Sequence, residues 1–449
     1  MSKIEFIPNL PESDKKRVVV AGGGFAGFKL IRKLIGRGYE IVLLDKNNFH
    51  QFQPLLYQVA TAGLEPSSIS FPVRKVFQKI KDVHFRIAEI QEVIPLQNEV
   101  VTDIGRLKYD YLILSIGANT NYFGQNEIEE NTLSMKTASD AILIRNTILE
   151  HFEKALLETQ PEKIEQYLNI GIVGGGPTGV ELAGALAEMK KYIFPKDYPE
   201  LDLSKMRIII YEAASRLLAS MSEEASAWAL KYLKKLHVEV NLNTRVEHYD
   251  GNCIRLSDRS IVSSKTVIWS AGIKANGIQG LPAEITGRGN RMLVDRYNRV
   301  NGFANIFAIG DNSLMVTEKY PNGHPQVAQA AIQQANLLSK NLVKLDNGIQ
   351  PKEFEYNDKG SMATIGRNLA VADLPFVKLH GFIAWILWSF VHLFLIMGVK
   401  NRLLIFLNWT WNYFTYDQSL RLLIKPKPFL KEKNEVSCIT PNELIINNN

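Results

Sequence analysis

A glycine-rich turn between apolar runs occurs twice in the chain. In the first copy Arg17-Val18-Val19-Val20-Ala21 leads into Gly22-Gly23-Gly24-Phe25-Ala26-Gly27, and in the second Asn169-Ile170-Gly171-Ile172-Val173 leads into Gly174-Gly175-Gly176-Pro177-Thr178-Gly179. A short apolar run of this kind reads as a buried strand, and the glycines open the helix that follows it. A further apolar strand then ends in an acid in both copies, at Asp45 and at Glu212, although residues 192–206 lengthen the second crossover. Each copy is a βαβ unit with a dinucleotide fingerprint. Gly22 and Gly174 make the tight turn, Gly24 and Gly176 let the backbone approach a pyrophosphate, and Gly27 and Gly179 allow the helix to pack closely on the strand. The pyrophosphate would sit on the helix N-terminus, where free N–H groups and the dipole favour an anion. Asp45 is positioned to accept hydrogen bonds from a ribose. Glu212 should bond a ribose 2′-hydroxyl and repel a 2′-phosphate, which favours NADH over NADPH. Two copies make two nucleotide sites.

The repetition extends past the glycines. Lys265 to Gly272 resembles Leu112 to Ala118, which aligns Ala271-Gly272 with the Gly117 region, and both halves converge on Asn305-Ile306-Phe307-Ala308-Ile309-Gly310-Asp311. A carboxylate at Asp311 is suited to sugar or ribityl hydroxyls, and a plain turn Asp is the alternative. The spacing predicts helices over 137–158 and 222–237 and a β-meander over 83–104. Residues 47–57, which include His50, Gln53 and Tyr57, read as a loop rich in amides and aromatics that can reach a cofactor or serve packing.

A chain of 449 residues with 46% hydrophobic and 22% charged residues can bury two or three cores. The net charge of +6 does not call for nucleic acid and is compatible with an anionic membrane surface. Cys253 and Cys438 form neither a CxxC nor a metal-ligand pattern, so no disulfide framework and no metal site is expected. The N-terminus lacks the apolar run of a signal peptide, which puts the first glycine turn on the cytoplasmic side of any membrane. Leu379 to Val399 is free of formal charge, interrupted by His380 and His392, and followed by Lys400 and Arg402. Hydropathy alone nominates it as a spanning helix. Trp385, Trp388, Trp409 and Trp411, with basic residues on the flanks, equally suit a helix lying in the membrane plane. A lone histidine such as His392 on an apolar helix reads as a packing residue, and Lys378 as a contact to lipid phosphate.

GGGFAG (22–27) with Asp45, FQPLLYQVAT (52–61), GGGPTGVE (174–181), the Ala-Gly of 271–272, AIGD (308–311), AQAAIQQ (328–334) and the aromatic C-terminal region together resemble the two-dinucleotide-fold flavoprotein reductases. Within them the chain is most similar to the type II NADH:quinone oxidoreductases. The resemblance implies an α/β fold of two Rossmann-like domains, like that of glutathione reductase, with a C-terminal helical membrane-anchoring region. Residues 1–120 and 276–350 would bind FAD, residues 121–275 NADH, and residues 351–449 the membrane. The cofactor-binding residues would be Gly22, Gly24, Phe25, Ala26, Gly27, Asp45, Lys46, Gln53, Gly117 and Asp311 for FAD, with Gly174, Gly176, Thr178, Gly179, Glu212, Ala271 and Gly272 for NADH. Glu181 would lie near the nicotinamide and flavin rings; an acid favoured by its helix dipole is the alternative. Gln329 and Gln333, four apart on a helix over 327–338, share one face and would offer amides to the flavin edge and a quinone carbonyl.

The resulting expectation is a peripheral enzyme on the cytoplasmic side of the inner membrane. It would oxidise NADH, reduce a membrane quinone and pump no protons, and a homodimer is left open. A reductase for a soluble protein acceptor and a flavin- and NADH-binding redox sensor are the alternatives.

Overall fold

The computed structural model describes residues 5–416 and 420–423, so Lys425, Lys427, Cys438 and the polar tail lie outside the described residues. The chain begins with β1 (Lys16–Ala21), α1 (Phe25–Leu34), β2 (Tyr39–Asp45), β3 (Val83–Ile87) and β4 (Tyr111–Leu114). After α2 (Ala138–Leu156) come β5 (Ile170–Val173), α3 (Pro177–Tyr192), β6 (Ile208–Tyr211), α4 (Glu223–Lys235), β7 (Glu239–Asn241) and β8 (Thr266–Trp269). Then follow β9 (Ile306–Ala308), α5 (Ala328–Asp346), β10 (Ser361–Gly366), β11 (Leu369–Asp373), α6 (Gly381–Leu395) and α7 (Val399–Thr415).

Each βαβ unit grows into its own parallel sheet. The first runs β9-β4-β1-β2-β3, and the second runs β8-β5-β6-β7 with the short strand Leu133–Ser134 beside β8. Their central strands are continuous apolar runs because a parallel sheet is covered on both faces. On the first sheet, Val18, Val20, Ile41 and Leu43 pack beneath Phe28, Leu30 and Ile31 of α1 and Ala335 and Leu338 of α5. The halves are joined by an antiparallel ladder, Ala118–Thr120 on Ile273–Ala275, just past the ends of β4 and β8. Local capping starts the helices where polar residues precede apolar periodicity. Thr137 and Asp140 form a reciprocal capping box on α2, and the Ser222 hydroxyl accepts from the Ala225 N–H on α4.

Three expectations are corrected. Val83–Ile87 is not the first arm of a meander but the edge strand of the first sheet, parallel to β2; the meander is 90–94, 99–102 and 105–108. Its alternation of His84 and Arg86 with apolar residues is that of an edge strand. The segment 47–57 is not all loop, since Phe49–Gln51 pairs with Ser70–Pro72 and a short helix begins at Leu56. The apolar run 379–399 is not one helix. It breaks at Ile396 to Gly398, where Gly398 takes φ +83°, and the Arg402 guanidinium donates to the Ile396 carbonyl at 2.7 Å. The 15 residues of α6 reach about 22 Å at ~1.5 Å each, short of a hydrocarbon core of about 30 Å. Among the described residues no helix is long and apolar enough to cross a membrane.

The C-terminal strands β10 and β11 press α3 so closely that a Cβ at Gly184 would stand 2.2 Å from the Ile365 carbonyl oxygen. Gly184→Ala is expected to force α3 off β10 at a cost of about 1–3 kcal/mol. A thermal midpoint equal to that of the unchanged protein would show that this contact yields.

Candidate active site

The two glycine turns are built alike to the atom. In the first, the Gly23 N–H donates to one Asp45 oxygen at 2.6 Å and the Asn47 N–H to the other at 2.7 Å. In the second, the Gly175 N–H donates to Glu212 at 2.5 Å and the Ala214 N–H to its other oxygen at 2.7 Å. A serine just past β4 in the first half and β8 in the second ties each turn down. Ser115 donates to the Gly22 carbonyl at 2.8 Å, and Ser270 to the carbonyls of Val173 at 2.9 Å and Gly174 at 3.2 Å. Neither serine is singled out by its sequence context, because the hydroxyl meets the turn only when the strands align. Both acids are therefore fixed by main-chain amides before any sugar arrives.

One continuous cavity of about 670 Å³ begins at the first turn. Gly22, Gly24, Phe25, Ala26, Asp45, Lys46, Gln53, Gly117 and Asp311 line it, together with Thr178 and Glu181 from the second unit. Gly174, Gly176, Gly179, Glu212, Ala271 and Gly272 do not line it. They surround the second turn, where a Cβ at Gly174 would stand 2.9 Å from Ala271. The residues of the first turn fit FAD. A Cβ at Gly24 would meet nothing within 4 Å, and the N-terminus of α1 has no side-chain cap, so backbone N–H groups are open to a phosphate. Asp311 is held facing the cavity by Gly310 at φ +78°, by the Gly310 N–H donating to Gln334 Oε1 at 2.7 Å, and by Gln326 donating to the Asp311 carbonyl at 2.8 Å. Burial pushes both Asp45 and Asp311 above the usual carboxylate range. The Asn47 and Gly23 N–H groups oppose it at Asp45, and the Lys136 and Arg291 charges at Asp311.

Glu181 sits in the second turn of α3 and is buried. Burial raises its carboxyl from the ordinary 4.5 to about 8, against the opposing Thr364 N–H, a long contact at 3.4 Å, and the Trp388 indole. The carboxyl is thus protonated at neutral pH. Tyr57 also lines the cavity and accepts from Gln58 Nε2 at 2.8 Å. His50 does not line it. Its Nδ1 is 2.8 Å from the Gly23 carbonyl and its ring stacks on Phe28, so it braces the turn.

Gln329 and Gln333 do not reach the cavity. Their shared face meets the segment after α5 instead: Gln329 bonds the Gly360 carbonyl at 3.0 Å and the Lys359 N–H at 3.1 Å, and Gln333 bonds both main-chain groups of Asn357. Helical periodicity showed that the two amides lie together but not which side of α5 faces the cavity. From that helix it is Ala328 and Ala331, with Gln326 and Val327 just before it, that line the wall. The sequence reading also missed Lys136 and Met362 as lining residues, and it took His392 for packing alone. No local pattern marks them, since each comes from a segment brought in by the fold.

The pyridine nucleotide-disulphide oxidoreductase family matches residues 16–335, and the NDH2 C-terminal domain matches residues 359–415. Of the curated relatives, a type II NADH:quinone oxidoreductase Ndh of Mycobacterium tuberculosis is 32% identical over 95% of this chain and 94% of its own length. A second from the same organism, NdhA, is 34% identical over 88% of this chain and 86% of its own. Among solved structures, NDH2 from Plasmodium falciparum in complex with NADH shares the fold at a TM-score of 0.83 and 22% identity. That match covers 92% of this chain and all of the other.

The raised Glu181 carboxyl sets a sign for stability against pH. Folded, it keeps its proton up to about pH 8, whereas unfolded glutamate loses it near 4.5, so its contribution to stability falls as pH rises through that window. Glu181→Gln cannot ionise and is expected to be more stable than the unchanged protein at about pH 8, on the order of a few kcal/mol, with the gain shrinking towards about pH 5. Urea midpoints at the two pH values measure it, and the same difference at both would contradict a protonated buried acid.

Proposed function

The chain belongs to the type II NADH:quinone oxidoreductase family, and we propose from its geometry that it oxidises NADH, reduces a quinone at a lipid surface and moves no protons across the membrane. The observation that carries this reading is the cavity at the first glycine turn. Its wall joins the first glycine turn to Thr178 and Glu181 of the second unit and to Met362 and His392 of the C-terminal segment, an arrangement that supports electron transfer from the nucleotide half through the cofactor to an acceptor beside the C-terminal helices. FAD, when bound, supplies the two-electron chemistry that links a hydride donor to a quinone.

The protein's part is binding, orientation and exclusion of water. The N–H groups at the N-terminus of α1 hold the pyrophosphate, and Asp45 and Asp311 hold hydroxyls of the cofactor. Glu212 holds the ribose 2′-hydroxyl of NADH at the second turn. Glu181, carrying its proton, would offer an O–H from the cavity wall to the nicotinamide and flavin rings. Residues 1–120 with 276–350 form the flavin half, and residues 121–275 the NADH half.

The C-terminal region supports the lipid assignment. Phe382, Ile383, Ile386, Phe390 and Phe394 of α6 and Leu403, Phe406, Leu407, Trp411 and Phe414 of α7 are exposed, an apolar surface larger than scattered single side chains explain. Their inner neighbours Trp388 and Ile405 are buried, which suits two short helices lying in one leaflet.

Anaerobic stopped-flow absorbance tests the two half-reactions. NADH is expected to bleach the flavin of the purified protein, and a short-chain quinone to restore its colour; bleaching without restoration would move the assignment to a protein acceptor or a sensor. The Glu212 carboxylate should also make kcat/KM for NADH exceed that for NADPH by about a hundredfold, the order expected when it faces the like charge of a 2′-phosphate. Comparable values for the two nucleotides would remove its discriminating role.

A further inference from the structure

His392 projects from the last turn of α6 into the wall of the cavity. Its Nδ1 lies 2.8 Å from the Trp388 carbonyl oxygen one turn earlier. A carbonyl only accepts, so Nδ1 carries the ring proton. One face of the imidazole stacks on the Trp388 indole, centroids 4.1 Å apart and planes at 23°, and Phe52 meets it edge-on at 6.3 Å. These contacts fix both the tautomer and the orientation of the ring. Nε2 is on the edge opposite the bonded nitrogen, and no hydrogen-bond partner for it occurs among the described residues. Burial holds the imidazole down at about 4, the Trp388 carbonyl opposing, so no second proton occupies Nε2 at neutral pH.

An unprotonated ring nitrogen of a residue in the cavity wall discriminates between the two oxidation states of a quinone. The oxidised ring offers carbonyl oxygens, which only accept, whereas the hydroquinone offers O–H donors. Two acceptors facing each other without a proton leave both unsatisfied, and a donor facing an acceptor makes a bond in a site of low dielectric. We propose that His392 is a specificity-determining residue of the acceptor site, its Nε2 accepting a hydrogen bond from the hydroquinone hydroxyl and thereby favouring the reduced product over the oxidised substrate. This inference rests on the quinone reading above. The C-terminal helices then supply more than a lipid-facing surface: one of their side chains reads the redox state of the molecule in the cavity.

The test uses the FAD-loaded full-length enzyme under anaerobic conditions, with NADH as donor, decylubiquinone as acceptor and decylubiquinol as added product. For each protein the inhibition constant of the quinol is divided by the KM of the quinone, a ratio that is independent of any inactive fraction. His392→Phe keeps the aromatic stack and removes the acceptor. It is expected to raise the quinol inhibition constant, and with it the ratio, about tenfold, the equivalent of one hydrogen bond in a buried site, without raising the quinone KM. His392→Gln adds an amide donor and is expected to raise the ratio from the other side, by lowering the quinone KM. A ratio that moves less than about threefold in both variants, or a quinone KM in His392→Phe that rises in parallel with the quinol constant, would overturn the role of Nε2. Failure of the unchanged enzyme to turn over decylubiquinone at all would instead bring down the quinone reading on which it depends.

Discussion

A Cβ at Gly27 would stand 2.0 Å from the Gly22 carbonyl oxygen, and one at Gly179 would stand 2.0 Å from that of Gly174. In each half the first turn of a helix rests directly on the end of the strand before it, with no room for a side chain between them. Everything else in the two nucleotide sites follows from that approach. It aims the helix N-terminus at the place a phosphate takes, and it brings the next strand's acid, Asp45 or Glu212, within reach of the turn's own N–H groups. The serine that follows β4 or β8 closes the turn. The duplication is of this contact set as much as of its glycines.

The two halves are specialised by what surrounds them. Around the first turn lies the cavity, and Ile309 after β9, the Gly310–Asp311 turn and the start of α5 return to line it. Around the second, the helix instead carries Glu181 out of its own unit and into the wall of the other half's cavity. The C-terminal segment then seals that wall. β10 brings Thr364 to Glu181, α6 brings Trp388 against it, and Tyr57 is buried beside them. The protonated state of Glu181 is thus a property of three segments distant in sequence, since removal from water is what raises its pKa. Glu188, two turns further along α3, is likewise raised by burial. It accepts from the Arg367 N–H, and the Arg367 guanidinium holds the last carbonyls of α7. The same helix thereby serves the redox cavity at one end and the C-terminal helices at the other.

The glycine turns, Asp45, Glu212, Glu181 and Asp311 stand out in the sequence because each sits at a set distance from a strand or a helix start. Orientation that depends on partners is not legible there. Gln329 and Gln333 share a helix face as spacing requires, yet that face meets residues 357–360, and Gln334, one position on, holds the Gly310 turn. The edge strand Val83–Ile87 reads as part of a meander because alternation is common to both. Hydropathy ran residues 379–399 together, whereas Gly398 at positive φ and the Arg402 cap divide them.

By itself the sequence determined the two βαβ units, their acids and the apolar character of the C-terminus. These are local: a glycine, a run of buried residues and a strand-end carboxylate act within a few residues of one another. Tertiary structure alone decided which side chains share the cavity, that Glu181 keeps its proton, and that His392 faces inward with its Nδ1 already committed. Burial and hydrogen-bond partners depend on which surfaces meet, and segments hundreds of residues apart meet only once both sheets and α6 are in place.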